Sequence, residues 1–347
     1  FAYCNTNKKS ITLDVSTVKG KAIFKDLVKG TDILVENNPP RLMEELGLTY
    51  EALEKVNPML VMASITPFGQ TGPYATRPAA DLTIQAESGG MSGRGLASQP
   101  PLQCGGRITE WIGGTFAAVA GLAAVRRART TGQGECIDFS LCEVMNIGSS
   151  VYADLMSSLL GRPDFPGPPR SVEIPSIEPT RDGWVGFNTN SRQQFNDFCL
   201  LIERPELRES EIEWWNLGVR GARMDEWNEI VRAWTTQHTT EEIVERAALL
   251  RIPVAPVNSG RTVLEHPHFK ARENYVPNPS GGFLQPVPSY MMNGERPRSP
   301  EPAPRLGEHT GAVEPTTRPV AQGSSPGAAR SPELPLAGVR ILDATAW

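Results

Sequence analysis

Cysteine and histidine are scarce in this sequence, and their spacing does not suggest a metal site. The 347 residues include five cysteines and four histidines. No two cysteines form a CxxC pair, and no histidine lies at zinc-site spacing from a cysteine. An odd number of scattered cysteines is typical of reduced thiols, so we predict a cytoplasmic protein without a structural metal.

Long apolar runs and a strong charge of one sign are also missing. The longest apolar run, residues 113–125, has 13 residues, whereas a membrane-spanning helix needs about 20. Lys and Arg number 34 against 39 Asp and Glu, which gives a net charge of −5. That balance creates no overall field to attract nucleic acid or an anionic membrane. We therefore expect neither as a partner, and any phosphate-bearing ligand must be held by local donors.

Apolar periodicity predicts an α/β fold in the first half of the chain. Residues 17–28 follow a helical period and are followed by glycine. Residues 32–36 and 59–65 are short apolar runs bounded by turn residues, as in buried parallel strands. Residues 115–127 predict a helix rich in small side chains, and residues 135–141 alternate like a two-faced strand. Together they predict a Rossmann-like large domain with a parallel sheet.

The second half predicts a smaller α+β domain. Residues 184–187 form a short apolar strand after a turn, and helices are expected at about 191–203 and 224–236. Thr239 then begins a further helix that ends near Leu250, with glutamate at the capping-box position.

A proline-rich stretch separates this region from the end of the chain. Thirteen of the 31 prolines lie between positions 277 and 335. Residues 313–334 lack periodicity and predict a linker. An apolar, strand-like pattern resumes at 336–343. Because the chain begins at Phe1 without methionine and stops at Trp347 inside an apolar segment, we expect a fragment of a longer protein.

A dozen motifs, in order, resemble the class III CoA-transferases, the CaiB/BaiF family. They extend over about residues 1–312 and read NTNKKSITLD (5–14), DILVEN (32–37), LGL (46–48), NP (57–58), SITPFGQTGP (64–73), PAAD (78–81), QAESGG (85–90), TGQG (131–134), DGW (182–184), IPVAPV (252–257), HPHF (266–269) and LGEHT (306–310). The segment LAGVRILD (336–343) is similar to the family's own N-terminal strand. The resemblance therefore implies a tandem protein with two such modules.

The resemblance also implies a division of the chain. Residues 1–165 would be a large CoA-binding α/β domain that lacks its first strands, and residues 180–275 a small domain. Residues 276–312 would return to the large domain, 313–334 would be the linker, and 335–347 would start a second CoA-transferase module.

The chemistry that the resemblance implies is CoA transfer between an acyl-CoA and a carboxylic acid. A side-chain carboxylate forms an anhydride and then a thioester, so CoA is a substrate and no cofactor is permanently bound. Glu110 stands where the family has an aspartate, just before the predicted small-residue helix. Helix amides would stabilise its charge, and Gly113 and Gly114 would let N–H groups approach an oxyanion. The structural alternative is that Thr109 caps the helix and Glu110 is only a first-turn acid.

Glutamate in place of aspartate is a departure from the family pattern. It places the carboxylate one C–C bond further out, roughly 1.5 Å, and an error of about 1 Å can cost on the order of 100-fold in rate. Glu110 is therefore either compensated by its surroundings or the sign of a weakened module.

The resemblance also implies which residues meet CoA. Asn37 and Asn38 follow a predicted strand, which suits the rule that ligands bind beyond the carboxyl ends of parallel strands. Their alternative role is a helix-capping turn. Many relatives carry a phosphate-binding arginine where this chain has Glu45, and Arg41 is near enough to replace it. The full implied CoA set is Leu13, Asp14, Ser16, Asn37, Asn38 and Arg41.

Two other functions stay open. One is a racemase or isomerase of 2-methylacyl-CoA, but such relatives carry a histidine shortly before the position of Asp81, and residues 77–81 have none. The other is a catalytically weak CoA-binding or scaffold module. Family members form interlocked dimers, so the resemblance implies a homodimer or a pseudo-dimer with the second module.

Overall fold

A three-stranded parallel sheet organises the part of the chain that carries the predicted site. The structure, a computed structural model, describes residues 1–91, 99–149, 174–316, 334–340 and 342. The strands are β1 (Ile33–Glu36), β2 (Val61–Thr66) and β3 (Cys136–Ser140), in that spatial order. Ile33 pairs with Val61, and Met62 pairs with Cys136, both in parallel register. The predicted α/β fold with a parallel sheet is confirmed.

Threonine side chains cap the start of two of the helices around this sheet. Thr17 accepts the Gly20 N–H at 3.0 Å, and the first helix begins at the next residue, Val18. Thr49 does the same for Ala52 at 3.4 Å, at the start of the third helix. The helices are α1 (Val18–Val28), α2 (Leu42–Glu45), α3 (Tyr50–Glu54), α4 (Asp81–Glu87), α5 (Ile108–Thr131) and α6 (Leu141–Ser149).

Helix α5 is longer than the sequence predicted. It begins at Ile108 rather than at residue 115 and ends at Thr131, where Gly132 adopts the left-handed conformation. The prediction was wrong because Gly113 and Gly114 look like helix breakers. Packing overrides that weak propensity, since α5 lies against β2, β3, α4 and α6.

The inner face of α5 is built from small residues because it approaches the sheet closely. A Cβ at Gly121 would lie only 2.6 Å from Cδ1 of Ile33. Further along the helix, Ala124 and Ala128 are buried against Val61 of β2. A larger side chain at any of these positions would push the helix off the sheet.

Length and composition alone would also allow α5 to cross a membrane, and it is the one helix among the described residues of which this is true. The 13-residue apolar run did not suggest this, because the helix continues for 24 residues. A core helix passes the same test, and α5 packs on two strands and two helices of its own unit.

The chain forms two units, and the one with the parallel sheet consists of two separate pieces, Lys8–Gly167 and Pro304–Trp347. Hydrogen bonds join the pieces: the His309 N–H donates to the Ser10 carbonyl at 2.8 Å, and the Thr12 N–H donates to Thr310 Oγ1 at 2.9 Å. We call this the large unit. The domain limits stay predictions.

The predicted strand over residues 336–343 is absent from the described part of that segment. Residues 335–338 form turns, and none of residues 334–340 pairs with a neighbouring strand. A strand needs a hydrogen-bonding partner, which the apolar pattern alone does not supply. The predicted linker at 313–334 lies for the most part outside the described residues.

The second unit comprises Phe1–Asn7 and Pro168–Ala303. Its strands pair antiparallel in the orders β4-β5-β6 and β7-β8. They are β4 (Ile177–Pro179), β5 (Trp184–Phe187), β6 (Val254–Pro256), β7 (Tyr275–Pro277) and β8 (Leu284–Pro286). The helices are α7 (Arg192–Leu201), α8 (Leu217–Ala222), α9 (Met224–Thr235), α10 (Thr240–Leu249), α11 (Thr262–Glu265) and α12 (Pro267–Ala271), with a 3₁₀ turn at Pro205–Glu209.

Aromatic side chains form the core of the second unit. Trp214 and Trp227 are fully buried with ring centroids 5.3 Å apart, and Phe195 packs on Trp227 at 5.8 Å. The predicted capping box is also present: Thr239 accepts the Glu242 N–H, and Glu242 accepts the Thr239 N–H at 2.7 Å. The predicted mixed α+β composition is confirmed.

Alanine substitutions at two glycines should have opposite effects on stability. A Cβ at Gly134 would overlap the Leu60 carbonyl, which is backbone and cannot move aside, whereas nothing lies within 4 Å of a Cβ at Gly114. We expect Gly134→Ala to lower the free energy of unfolding by about 1–3 kcal/mol. Gly114→Ala, in a helix interior, should raise it by about 0.5–1 kcal/mol. Guanidinium unfolding followed by circular dichroism measures both, and equal effects would contradict the close approach at Gly134.

Candidate active site

The amino end of α5 lies at the carboxyl edge of the parallel sheet. Only four residues separate Thr131, the end of α5, from the start of β3, and α5 packs on β2 and β3. The helix therefore runs antiparallel to the strands, and its 24 residues extend for about 36 Å. Its first turn reaches the edge where α/β proteins bind ligands.

Glu110 lies inside the first turn of α5. The sequence had predicted that Glu110 would precede the helix. The helix is preceded by Arg107, which has φ 56° and ψ 45° and gives no side-chain cap. Thr109 is fully buried inside the first turn. Thr109 is therefore not the N-cap, and that part of the structural alternative is wrong.

Glu110 forms an ion pair with Arg107 on the same turn. Nε of Arg107 donates to Oε1 of Glu110 at 2.9 Å, and Nη2 contacts the same oxygen. Within the described residues, the other oxygen, Oε2, accepts no hydrogen bond. The side chains of Glu110 and Arg107 are 48% and 74% exposed, so a solute can reach both groups.

Asp81, at the start of α4, anchors the first turn of α5. Its Oδ1 accepts the backbone N–H of Thr109 at 3.2 Å. Its Oδ2 accepts from Gln85 at 2.7 Å and from Gln103 at 3.0 Å. Partial burial would raise the pKa of Asp81, but these hydrogen bonds outweigh burial and hold the pKa below its ordinary value. The carboxylate thus stabilises a helix end that has no side-chain cap.

Gln85 fixes the loop that leads into α5. Its side chain is 1% exposed. Its Oε1 accepts the Cys104 N–H at 2.9 Å, and its Nε2 donates to the Cys104 carbonyl, also at 2.9 Å. The amide therefore pairs with the loop backbone much as a neighbouring strand would. Asp81 and Gln85 together define where residues 104–110 lie.

Gly113 and Gly114 do not form the predicted oxyanion site. Both lie inside α5, where each backbone N–H donates to the carbonyl four residues earlier. Gly113 is instead required for packing, because a Cβ there would overlap Cδ2 of Leu141. Neither amide is available to a developing negative charge.

Asn37 and Asn38 lie at the same carboxyl edge, directly after β1. Asn38 donates its backbone N–H and its Nδ2 to Oε2 of buried Glu36, at 2.8 and 3.0 Å. Asn37 is exposed. The residue that precedes α2 is Arg41, so the helix-capping alternative for the two asparagines is wrong.

The segment before α1 reaches this edge as well, because α1 leads back into the start of β1. Oδ1 of Asp14 accepts from the hydroxyl and the N–H of Ser16, at 2.6 and 2.9 Å, and these bonds lower the pKa of Asp14. Leu13 beside it is partly buried. Arg41 is exposed with φ 74°, and Glu45 is exposed at the end of α2.

Three contributing residues were not singled out from the sequence. Asp81 and Gln85 lie in quoted motifs but bond to residues 28 and 19 positions away, which spacing cannot reveal. Arg107 could have been found, because opposite charges three residues apart meet on a helix. Within the described residues no three His, Cys, Asp or Glu side chains are grouped to hold a metal ion.

Comparisons with known proteins match this chain to CoA-transferases and to a CAIB/BAIF family structure. The family model "CoA-transferase family III" matches residues 1–310. Succinyl-CoA–D-citramalate CoA-transferase of Chloroflexus aurantiacus is 30% identical over 279 residues, which cover 78% of this chain and 67% of that protein. Formyl-CoA:oxalate CoA-transferase of Streptomyces coelicolor is 28% identical over 345 residues, covering 90% and 80%. The crystal structure of a CAIB/BAIF family protein from Brucella suis superposes with a TM-score of 0.76 at 27% identity, covering 90% of this chain and 82% of that one.

Replacing Asp81 should loosen the start of α5 in a pH-dependent way. Asp81→Asn cannot accept all three hydrogen bonds, and we expect it to lower the free energy of unfolding by about 2 kcal/mol at pH 7. Because the folded-state pKa is lowered, the advantage of the wild type is complete above the unfolded value near 3.9 and disappears as the pH falls through the folded value. Thermal unfolding between pH 3 and 7 checks this, with Asp225→Asn, an exposed first-turn acid of α9, as control. A difference that is constant over that range would contradict it.

Proposed function

Because the chain belongs to CoA-transferase family III, we propose that Glu110 performs the covalent chemistry of its reaction. The chain is a CoA-transferase, which moves CoA between an acyl-CoA and a carboxylic acid. CoA is a substrate in this reaction and not a resident cofactor. The observation that carries the assignment is an exposed carboxylate in the first turn of α5, with one oxygen held and the other open.

The proposed reaction needs no reagent beyond the two substrates. Oε2 of Glu110 attacks the thioester carbon of the donor, the C–S bond breaks, and CoA leaves as a thiolate beside a mixed anhydride. The thiolate attacks Cδ of Glu110, which releases the donor acid and leaves a glutamyl-CoA thioester. The acceptor carboxylate attacks Cδ in turn, and the same two steps in reverse order give the new acyl-CoA and restore Glu110.

The surroundings of Glu110 support this role. The amino end of α5 carries partial positive charge, which stabilises the carboxylate. Arg107 draws the longer glutamate side chain back over its own helical turn, which offsets the extra C–C bond relative to aspartate. Asp81 fixes the backbone of that turn. These contacts provide the compensation that a glutamate nucleophile requires.

The CoA nucleotide is proposed to lie along the carboxyl edge of the sheet. Asn37 follows β1 with an exposed side chain, and Arg41 is exposed a few residues later. The segment around Asp14 reaches the same edge ahead of α1. The proposed contacts are Leu13, Asp14, Ser16, Asn37, Asn38 and Arg41.

A binding or scaffold module is the second candidate function. Glutamate in place of aspartate and the exposed carboxylate of Glu45 favour it, because a carboxylate repels CoA phosphate. This candidate predicts that CoA binds without any covalent change at Glu110.

A homodimer in the cytoplasm is the proposed assembly and location. Trp111, Val119 and Leu122 lie within about 80° of each other around α5, on the face away from the sheet. Val119 and Leu122 are 68% and 70% exposed. An apolar stripe of this kind is typical of a surface that another protein chain covers. A second copy of this chain, or a second module of the same protein, would bury this apolar stripe.

Glu110 should become labelled during turnover. The chain is incubated with a panel of acyl-CoA donors led by succinyl-CoA and trapped with borohydride or hydroxylamine, and the modified residue is identified by peptide mass. We expect labelling at Glu110, and at least a thousandfold loss of exchange activity in Glu110→Gln because an amide is not a nucleophile. Glu110→Asp keeps the nucleophile but draws it back by one C–C bond in a site adapted to glutamate, so it should retain only part of the activity.

The matched control for this experiment is Glu241→Gln, another exposed first-turn glutamate, which should keep full activity. CoA binding without labelling would favour the scaffold function. Solvent deuterium at the α-carbon without acid exchange would favour the racemase.

A charge in the apolar stripe should dissociate the proposed dimer. Val119→Glu places a carboxylate where the partner would bury it, so we expect a shift from dimer to monomer in light scattering after size exclusion. Leu249→Glu, at an 86% exposed leucine outside the stripe, is the control and should leave the mass unchanged. A wild-type chain that is monomeric at high concentration would refute the assembly.

A further inference from the structure

The Arg107–Glu110 ion pair is broken by the chemistry proposed for Glu110. We propose that Arg107 then binds the carboxylate of the acceptor acid and so makes the enzyme select carboxylates over neutral nucleophiles. This inference rests on the proposed function, because it needs Glu110 to lose its charge when it becomes a thioester.

The first observation is the geometry of the pair. Both contacts from Arg107 fall on Oε1 of Glu110, one through Nε at 2.9 Å and one through Nη2. Oε2 is therefore the oxygen left for attack. Within the described residues, Nη1 of Arg107 donates to no acceptor. With 74% of its side chain exposed, the guanidinium can receive a ligand without moving any buried group.

The second observation is the backbone of Arg107. Its φ of 56° lies in the left-handed region, although two glycines directly precede it. For a residue with a Cβ this conformation is strained, because Cβ crowds the neighbouring carbonyl oxygen. Glycine at position 107 would avoid the strain. Backbone strain of this kind is typical of functional sites, and here it places a guanidinium on the reacting carboxylate.

The third observation is the local charge. Within the described residues, Glu110 is the one acid that forms an ion pair with Arg107. Once Glu110 is a thioester it is neutral, and the guanidinium loses its anion. The incoming acid carries a carboxylate that must reach Cδ of Glu110, next to the same guanidinium. Oε1 stays on Cδ as the neutral carbonyl oxygen of the thioester. Because arginine binds carboxylates through two parallel N–H donors, the charged acceptor can replace it on the guanidinium.

The exchange of ion pairs fits the atoms of the reaction. One oxygen of the acceptor attacks Cδ of Glu110, the C–S bond breaks and CoA leaves as a thiolate, while Arg107 holds the other oxygen. The thiolate then attacks the acceptor carbonyl, and the C–O bond to Glu110 breaks. Glu110 recovers its charge and pairs again with Arg107, which releases the uncharged thioester end of the product.

The test compares two ways of discharging the loaded enzyme. The full chain is loaded with the donor that labels Glu110 and then discharged with the donor's own acid in isotopic form, or with hydroxylamine, which is neutral. Rates are normalised to the fraction of Glu110 that is loaded. The variants are Arg107→Gln and Arg107→Lys, and the control is Arg129→Gln, which removes another exposed, ion-paired arginine from the far end of α5.

We expect Arg107→Gln to raise the KM for the acid at least tenfold while discharge by hydroxylamine changes by less than threefold. Arg107→Lys, which keeps the charge but not the paired donors, should lie between Arg107→Gln and the wild type. Equal slowing of both discharges, or an unchanged KM for the acid, would overturn the role of Arg107. Failure of the wild type to load at Glu110 would instead refute the proposed function, so the two failures are distinguishable.

Discussion

The position of Glu110 depends on how closely α5 approaches the sheet. Gly121 leaves no room for a side chain against Ile33, and Gly113 leaves none against Leu141. With the helix held at that distance, its first turn reaches the carboxyl edge of the sheet. The segment after β1 and the segment before α1 lie at the same edge. Asp81 and Gln85 then fix the turn itself. The small-residue face of α5 is therefore the contact on which the rest of the site depends.

Local signals in the sequence predicted much of the large unit. Thr17 marks the start of α1, and apolar runs mark β1 and β2, because each feature involves neighbouring residues only. The start of α5 was not predictable in this way. Gly113 and Gly114 have low helix propensity, and only tertiary packing keeps them helical. The left-handed Arg107 ahead of them is equally hidden from a propensity scale.

The same distinction between local signals and long-range contacts applies to the candidate site. Glu110 was found through the family resemblance, since a lone first-turn glutamate carries little information. The partners that define its setting differ in kind: Arg107 is local and readable from charge spacing, whereas Asp81 bonds to a backbone N–H 28 residues away. A backbone acceptor or donor leaves no trace in side-chain patterns, so contacts of this type require coordinates.

The large unit is interrupted by the second unit, and its last piece returns only at Pro304. The Ser10 carbonyl meets the His309 N–H across almost the whole length of the chain. During synthesis, Ser10 therefore cannot form this hydrogen bond until nearly 300 further residues have been translated. Contacts this distant slow folding and prolong exposure of apolar surface. In the cell, this protein should depend on chaperones more than its ordinary composition suggests.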